Sequence, residues 1–356
     1  MSLYRDEPRA DAPSGVAGKV LVTGGAGYIG SVGVPELLDG GARVTVLDRC
    51  FFGRGRLPAA EDRLRVVEGD IRDEEVVREV LGDGGFDAIV HLAAISNDPT
   101  SELDPELTRE VNKTAVDQLM RAAKDAGVRR FLYASSASVY GIKATPDVTE
   151  ELALEPITLY ARYKAEGEDT LWSLCDRDFC GVAVRAATVC GYSPRLRLDL
   201  TINILTEHAL TRGGIRVFGG SQMRPNIHIR DLTRFYRLLL ATPAERVNAR
   251  AFNVCRSNAT VLELAEMIRG EVDPGLPIDV VPTDDLRSYH LSAERARSEL
   301  GFEARNPLTV AVRELREAFE DGRVPDPADP IYRNIETMKR DTELWRSTRR
   351  ATGSPT

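Results

Sequence analysis

From Lys19 onward, short apolar runs alternate with longer amphipathic stretches. KVLVTG (19–24) is an apolar run stopped by glycine, and YIGSVGVPELLDGG (28–41) follows with helical spacing and two closing glycines. RVTVLD (43–48), LRVVEGD (64–70), FDAIVHLAA (86–94), RRFLYASS (129–136) and GVAVRAATV (181–189) read as further strands. Helical patterns separate them at EEVVREVLGDGG (74–85), 104–126 and 158–176. Nearly continuous apolar runs, rather than alternating ones, predict strands covered on both faces. The strand–helix rhythm predicts an α/β fold, a Rossmann-type doubly wound parallel sheet, over residues 18–190.

Beyond Tyr192 the rhythm loosens. Helical patterns at 199–213, 230–241 and 260–270, short strands at 215–220, 249–254 and 277–282, and two later helices predict a smaller mixed α/β lobe over 191–320. The chain is expected to cross back to the sheet from this lobe. Residues 1–17 read as a disordered tail, and 321–356 as an arm wrapping the surface with its final dozen residues mobile.

Composition narrows the class. The 356 residues are 42% hydrophobic and 29% charged with a formal net charge of −8, which excludes a wholly disordered chain and disfavours nucleic acid as a partner. No apolar stretch reaches the roughly 18–20 residues of a membrane span, and the first fifteen residues lack a signal-peptide core, so a cytoplasmic protein is expected. Five cysteines without a Cys-x-x-Cys pair and four scattered histidines predict neither a disulfide framework nor a metal site.

Two constellations carry chemistry. Gly24, Gly27 and Gly30 lie between the first strand and its helix, where a tight turn and a helix N-terminus receive a pyrophosphate. Asp48 ends the second strand, placed for ribose hydroxyls; it favours NAD over NADP, although the adjacent Arg49 is a cation a 2′-phosphate would welcome. The second constellation is Ser136 with Tyr160 and Lys164, an i, i+4 pair that shares one helix face. A phenol ordinarily titrates near about 10, and nearby positive charge favours the phenolate that a general base needs.

In order, TGGAGYIG, VLD, GDIRD, HLAA, VN at Asn112, SSASVYG and YARYK resemble the extended short-chain dehydrogenase/reductases, the NAD-dependent epimerases and dehydratases of nucleotide-activated sugars. RPNIHIRD and DLRSYHLSAERARSELGF extend the resemblance, which spans residues 19–320. It implies that Gly24, Gly27, Tyr28 and Ile29 bind the pyrophosphate of NAD, Asp48 its ribose, and Asp70 and Ile71 its adenine. Leu92, Ala93 and Ala94 would line the dinucleotide's path, Asn112 would order backbone and water beneath it, and Lys164 would hold the nicotinamide ribose. Thr188, Asn203, Arg224 and Arg287 would meet the nucleotide-diphosphate sugar, and a homodimer would form through the helices at 104–126 and 158–176.

The pattern departs from its relatives in two places. Dehydratases of this family follow the hydroxyl residue with Asp-Glu, and decarboxylating members place a glutamate at the position of Ser138; here Ser136 is followed by Ala137 and Ser138. Thr188 stands where an asparagine is usual, with Arg195 and Arg197 nearby either as phosphate or carboxylate ligands or as solvated loop charges. The expected activity is epimerisation at C4 through a transient keto sugar, with Tyr160 as base. A nucleotide-sugar dehydrogenase or ketoreductase without inversion is the alternative, because it shares the same catalytic residues.

Overall fold

The first apolar run forms β1 (Lys19–Thr23), and the glycine turn after it opens α1 (Gly30–Asp39). In the computed structural model, which describes residues 18–54, 57–59, 62–143, 145, 147–283, 288 and 290–347, this unit repeats along the first half of the chain. It continues as β2 (Arg43–Asp48), β3 (Leu64–Glu68), α2 (Glu74–Gly84) and β4 (Ala88–His91). Next come α3 (Asp98–Ser101), α4 (Pro105–Arg109), α5 (Ala115–Asp125), β5 (Arg130–Ala134), α6 (Leu159–Leu174) and β6 (Cys180–Ala186). Asp73 caps α2 by accepting from the N–H groups of Glu75 and Val76, and Thr158 caps α6 at Ala161.

The lobe comprises β7 (Thr188–Cys190), α7 (Thr201–Thr211), β8 (Ile215–Phe218), β9 (Met223–His228), α8 (Ile229–Ala241) and α9 (Ala244–Val247). After these come β10 (Arg250–Val254), β11 (Ser257–Thr260), α10 (Val261–Val272), β12 (Ile278–Val281), α11 (Glu294–Leu300) and α12 (Leu308–Glu320). A C-terminal arm carries α13 (Asn334–Arg340) and α14 (Thr342–Arg346).

Seven parallel strands form one sheet in the order β10-β6-β5-β4-β1-β2-β3, so the chain leaves the lobe to add β10 beside β6. Val34 and Leu37 of α1 and Phe235 and Leu239 of α8 pack with Val20, Val22 and Val46 on one face. Val80 of α2, Leu119 and Met120 of α5 and Leu171 of α6 pack with Leu21, Ile89 and Phe131 on the other. The continuous apolar runs are therefore buried on both sides, as their pattern predicts. The lobe has its own core, where Leu205 of α7, Leu264 and Ile268 of α10 and Val312 of α12 meet.

Local structure departs from the sequence reading in three places. The helix expected at 104–126 forms, but a π-helical turn at Glu110–Thr114 interrupts its α geometry between α4 and α5, and Asn112 in that turn binds the backbone of Ile95 through its side-chain amide. The strand expected at 181–189 divides at Ala187, since β6 pairs in the large sheet while β7 turns to pair with β9. The arm does not merely wrap the surface. Its Tyr332, Met338 and Trp345 are buried, the last two in a cluster with Ile95 and Leu107. The tail at 1–17, Arg287 and the residues after Ser347 lie outside the described residues. All five cysteines are free thiols.

Candidate active site

Strand order reverses between β4 and β2 at β1, and in open parallel sheets ligands bind beyond the carboxyl ends of such strands. A cavity of about 530 Å³ lies there. Gly24, Gly27, Tyr28 and Ile29 line it from the first turn, Asp48 from the end of β2, Asp70 and Ile71 from the loop after β3, and Leu92, Ala93 and Ala94 from the segment after β4. Ser136, Tyr160, Lys164, Thr188 and Arg224 line the same space. One cavity thus gathers fifteen residues that lie far apart in sequence.

The glycine turn is a cradle. Gly24 has φ +74°, and a Cβ there would lie 2.5 Å from the amide nitrogen of Ala93. At Gly30 a Cβ would lie 2.4 Å from the carbonyl oxygen of Gly25, so only glycine lets the helix start this close to the backbone of the turn. The carboxylate of Asp48 accepts the N–H of Ala26 at 2.9 Å and of Cys50 at 2.7 Å, and burial raises its pKa. These features fit a dinucleotide: backbone can approach a pyrophosphate closely, α1 directs its N-terminus at negative charge, and a carboxylate stands where ribose hydroxyls need an acceptor.

Asn112 and Asn203 do not line the cavity. Asn112 is buried, and its side chain takes both the N–H and the carbonyl of Ile95 at 2.8 Å, shaping the segment after β4 from behind. Asn203 is fully buried: its oxygen accepts from the Gly191 N–H, and its nitrogen donates to the Arg197 carbonyl at 2.8 Å and the Tyr28 hydroxyl at 3.1 Å. The diphosphate contact expected of Asn203 is therefore replaced by bracing of Tyr28, whose hydroxyl donates to Gly191 at 2.7 Å.

The chemical end is built on β5 and α6. Ser136 hydrogen-bonds Tyr160, and the Ser138 hydroxyl reaches Ser136 Oγ at 2.9 Å. Lys164 Nζ lies 5.7 Å from the centre of the Tyr160 ring and 4.9 Å from that of Tyr133. Burial drives both groups toward their neutral forms. The Tyr160 phenol is pushed up to about 12, with Asp98 raising it further and Arg197 and Ser136 opposing. Lys164 falls to about 7, with Glu168 opposing. By itself, then, the chain keeps Tyr160 protonated at neutral pH, and further positive charge is needed to make it a base.

Several lining residues carried no signal of their own. Asp98 accepts the Thr158 hydroxyl at 2.6 Å, and Asn97 holds φ +75° while donating to Asp199 at 3.1 Å. The solvated-loop alternative for Arg195 and Arg197 is overturned, because both are buried cavity walls. Arg197 pairs with Asp199 at 2.8 Å, and the Arg195 guanidinium lies 3.6 Å from the centre of the Phe52 ring. Arg49 meets Asp70 at 3.0 Å. Phe51, Phe52, Asn334 and Trp345 complete the wall.

The sequence model of the NAD dependent epimerase/dehydratase family matches residues 20–255. The UDP-glucose 4-epimerase of Corynebacterium glutamicum is 30% identical over 80% of this chain and 90% of its own length. The dTDP-glucose 4,6-dehydratase of Streptomyces niveus is 32% identical over 86% of this chain and 94% of its own. Among solved structures, DesIV, the dTDP-glucose 4,6-dehydratase of Streptomyces venezuelae with NAD and TYD bound, superposes with a TM-score of 0.76. It is 29% identical and covers 85% of this chain and 98% of its own. With that match extending over most of the large sheet and its glycine turn, the chain belongs to the NAD dependent epimerase/dehydratase family.

Proposed function

We propose that this protein is an NAD-dependent 4-epimerase of a nucleotide-diphosphate sugar. The observation that carries the reading is the grouping of Ser136, Tyr160 and Lys164 in the cavity that holds the glycine cradle, with no titratable group at positions 137 and 138. Relatives include both 4-epimerases and 4,6-dehydratases. Elimination of water needs an acid and a base beside the hydroxyl residue, and here that place holds an alanine and a serine. Asp98 and Asp199, which line the cavity beside Asp48 and Asp70, are engaged elsewhere, Asp98 with Thr158 and Asp199 with Arg197.

Bound NAD supplies a reversible hydride acceptor and, when oxidised, a positively charged ring. Tyr160 Oη takes the proton of the sugar C4 hydroxyl while Ser136 Oγ holds the same oxygen. Lys164 stabilises the phenolate electrostatically and holds ribose hydroxyls. The keto sugar turns within the cavity, and Tyr160 returns the proton to the oxygen on the opposite face. Thr188 and Arg224 wall the side that receives the sugar nucleotide, where a guanidinium fork matches phosphate oxygens.

A homodimer joined through α5 and α6 and a cytoplasmic location belong to the same reading. The two helices pack side by side, and free thiols suit a reducing compartment. Among the described residues, no helix is long and apolar enough to cross a membrane.

The test is incubation of the purified protein, without added dinucleotide, with UDP- and dTDP-hexoses, followed by NMR. Appearance of the C4 epimer supports the reading. Stoichiometric NADH with a keto or acid product, and turnover only on adding NAD, would assign the dehydrogenase instead.

A further inference from the structure

The arm ends inside the cavity. Trp345 of α14 lines it together with Asp48, Asp70 and Ile71 and is 8% exposed. Its ring stacks on Phe51, with centres 4.6 Å apart and planes inclined by 13°, and meets the edge of Phe52 at 6.2 Å. Its indole N–H is buried and has no hydrogen-bond partner among the described residues. A buried donor left unpaired is costly, by about 1–3 kcal/mol, unless a ligand accepts from it.

Two arginines from the cavity wall hold α14 in place. Arg49 donates to the carbonyls of Leu344 and Trp345 at 2.9 and 3.2 Å. Arg72 donates to those of Trp345, Arg346 and Ser347 at 3.1, 3.3 and 3.2 Å. These are the carbonyls that a helix leaves unsatisfied at its C-terminus. Asp70 pairs with both arginines, at 3.0 and 2.7 Å, so one buried carboxylate organises the clasp. Upstream, Asn334 binds Ser96 Oγ at 2.9 Å and Arg195, and Arg346 pairs with Asp104. The family match stops at residue 255, well before this segment.

We propose that the C-terminal arm is part of the dinucleotide site: Trp345, clasped by Arg49 and Arg72, walls the adenosine end and keeps NAD bound between turnovers. This rests on the assignment of the Asp48–Asp70 end of the cavity to the adenosine half. An epimerase regenerates its cofactor on every cycle, so slow release is compatible with turnover, and a wall contributed by the arm must open before the dinucleotide leaves.

The test compares the full chain with Trp345→Ala and with a chain ending at Arg340. Bound dinucleotide is measured after denaturation, and its release is followed by exchange into labelled NAD. The expected result is near-stoichiometric NAD in the full chain and release at least tenfold faster in both variants. A second readout uses Trp172→Phe, which leaves Trp345 as the sole tryptophan of the two in the chain. NADH binding then quenches its emission and transfers energy to the nicotinamide. Equal retention in all three proteins, slower release without the arm, or an unquenched Trp345 overturns the proposal. A full chain that neither carries nor binds NAD overturns the dinucleotide reading of the cavity, and the arm's role with it.

Discussion

Glu168 stands one helical turn beyond Lys164 on α6, yet its carboxylate is bound by Arg185: Nε reaches it at 3.0 Å and Nη2 at 2.6 Å. Ser135 also donates to it, and the same guanidinium donates to the Tyr140 hydroxyl at 2.8 Å. A satisfied, fully buried ion pair therefore lies behind the proposed catalytic lysine and places a negative charge near it without capping it.

Glu168→Gln removes that charge and leaves Arg185 buried without a counter-ion. Breaking a buried pair from one side costs about 3–5 kcal/mol. Urea unfolding is expected to show a loss of that order. An unchanged midpoint would mean that the pair is not structural.

Lys164 makes stability depend on pH. Its folded pKa lies near 7, against 10.5 for the ordinary group, so between these values the unfolded chain binds more protons. The penalty for burying the charged form is complete below pH 7 and fades as pH rises toward 10. In cofactor-free protein, stability relative to Lys164→Met is expected to climb between pH 7 and 9.5, read by urea unfolding at each pH. Parallel curves would contradict this.

Gly24→Ala places a side chain at φ +74° against the Ala93 backbone. Strain of this kind is worth about 1–3 kcal/mol. The variant is expected to melt lower and to retain less NAD, seen by calorimetry and by dinucleotide content.

Tyr160→Phe is expected to lower kcat by about 10²–10⁴-fold, the usual worth of a positioned acid–base group, while bound NAD stays near the wild-type level. Ser136→Ala should cost less, because Ser138 Oγ already lies 2.9 Å from that hydroxyl.

The central sheet was legible because its strands are buried on both faces and read as unbroken apolar runs. The glycine cradle and the Tyr160–Lys164 pair were legible because each is local in sequence. What was not legible depends on distant partners. Trp345 is held at the cavity by distant donors, Arg49 and Arg72, the latter 273 residues away, whose guanidinium groups donate to its carbonyl. Asn203 reads as a ligand of the sugar diphosphate, and its bonds to Gly191 and Tyr28 appear only in the folded chain. The break at Ala187 arises from β9, whose segment RPNIHIRD was read as a motif and not as a strand. Asp98 starts a four-residue helix and carries no local mark of its nearness to Tyr160.

Hydride return within one bound sugar is the central claim, and a label at C4 tests it most directly. A UDP- or dTDP-hexose deuterated at C4 is incubated with the purified protein in ordinary water and no added cofactor. The account predicts an inverted C4 centre that still carries its deuterium. Deuterium found in free NADH, or a product whose C4 configuration is unchanged, would contradict it.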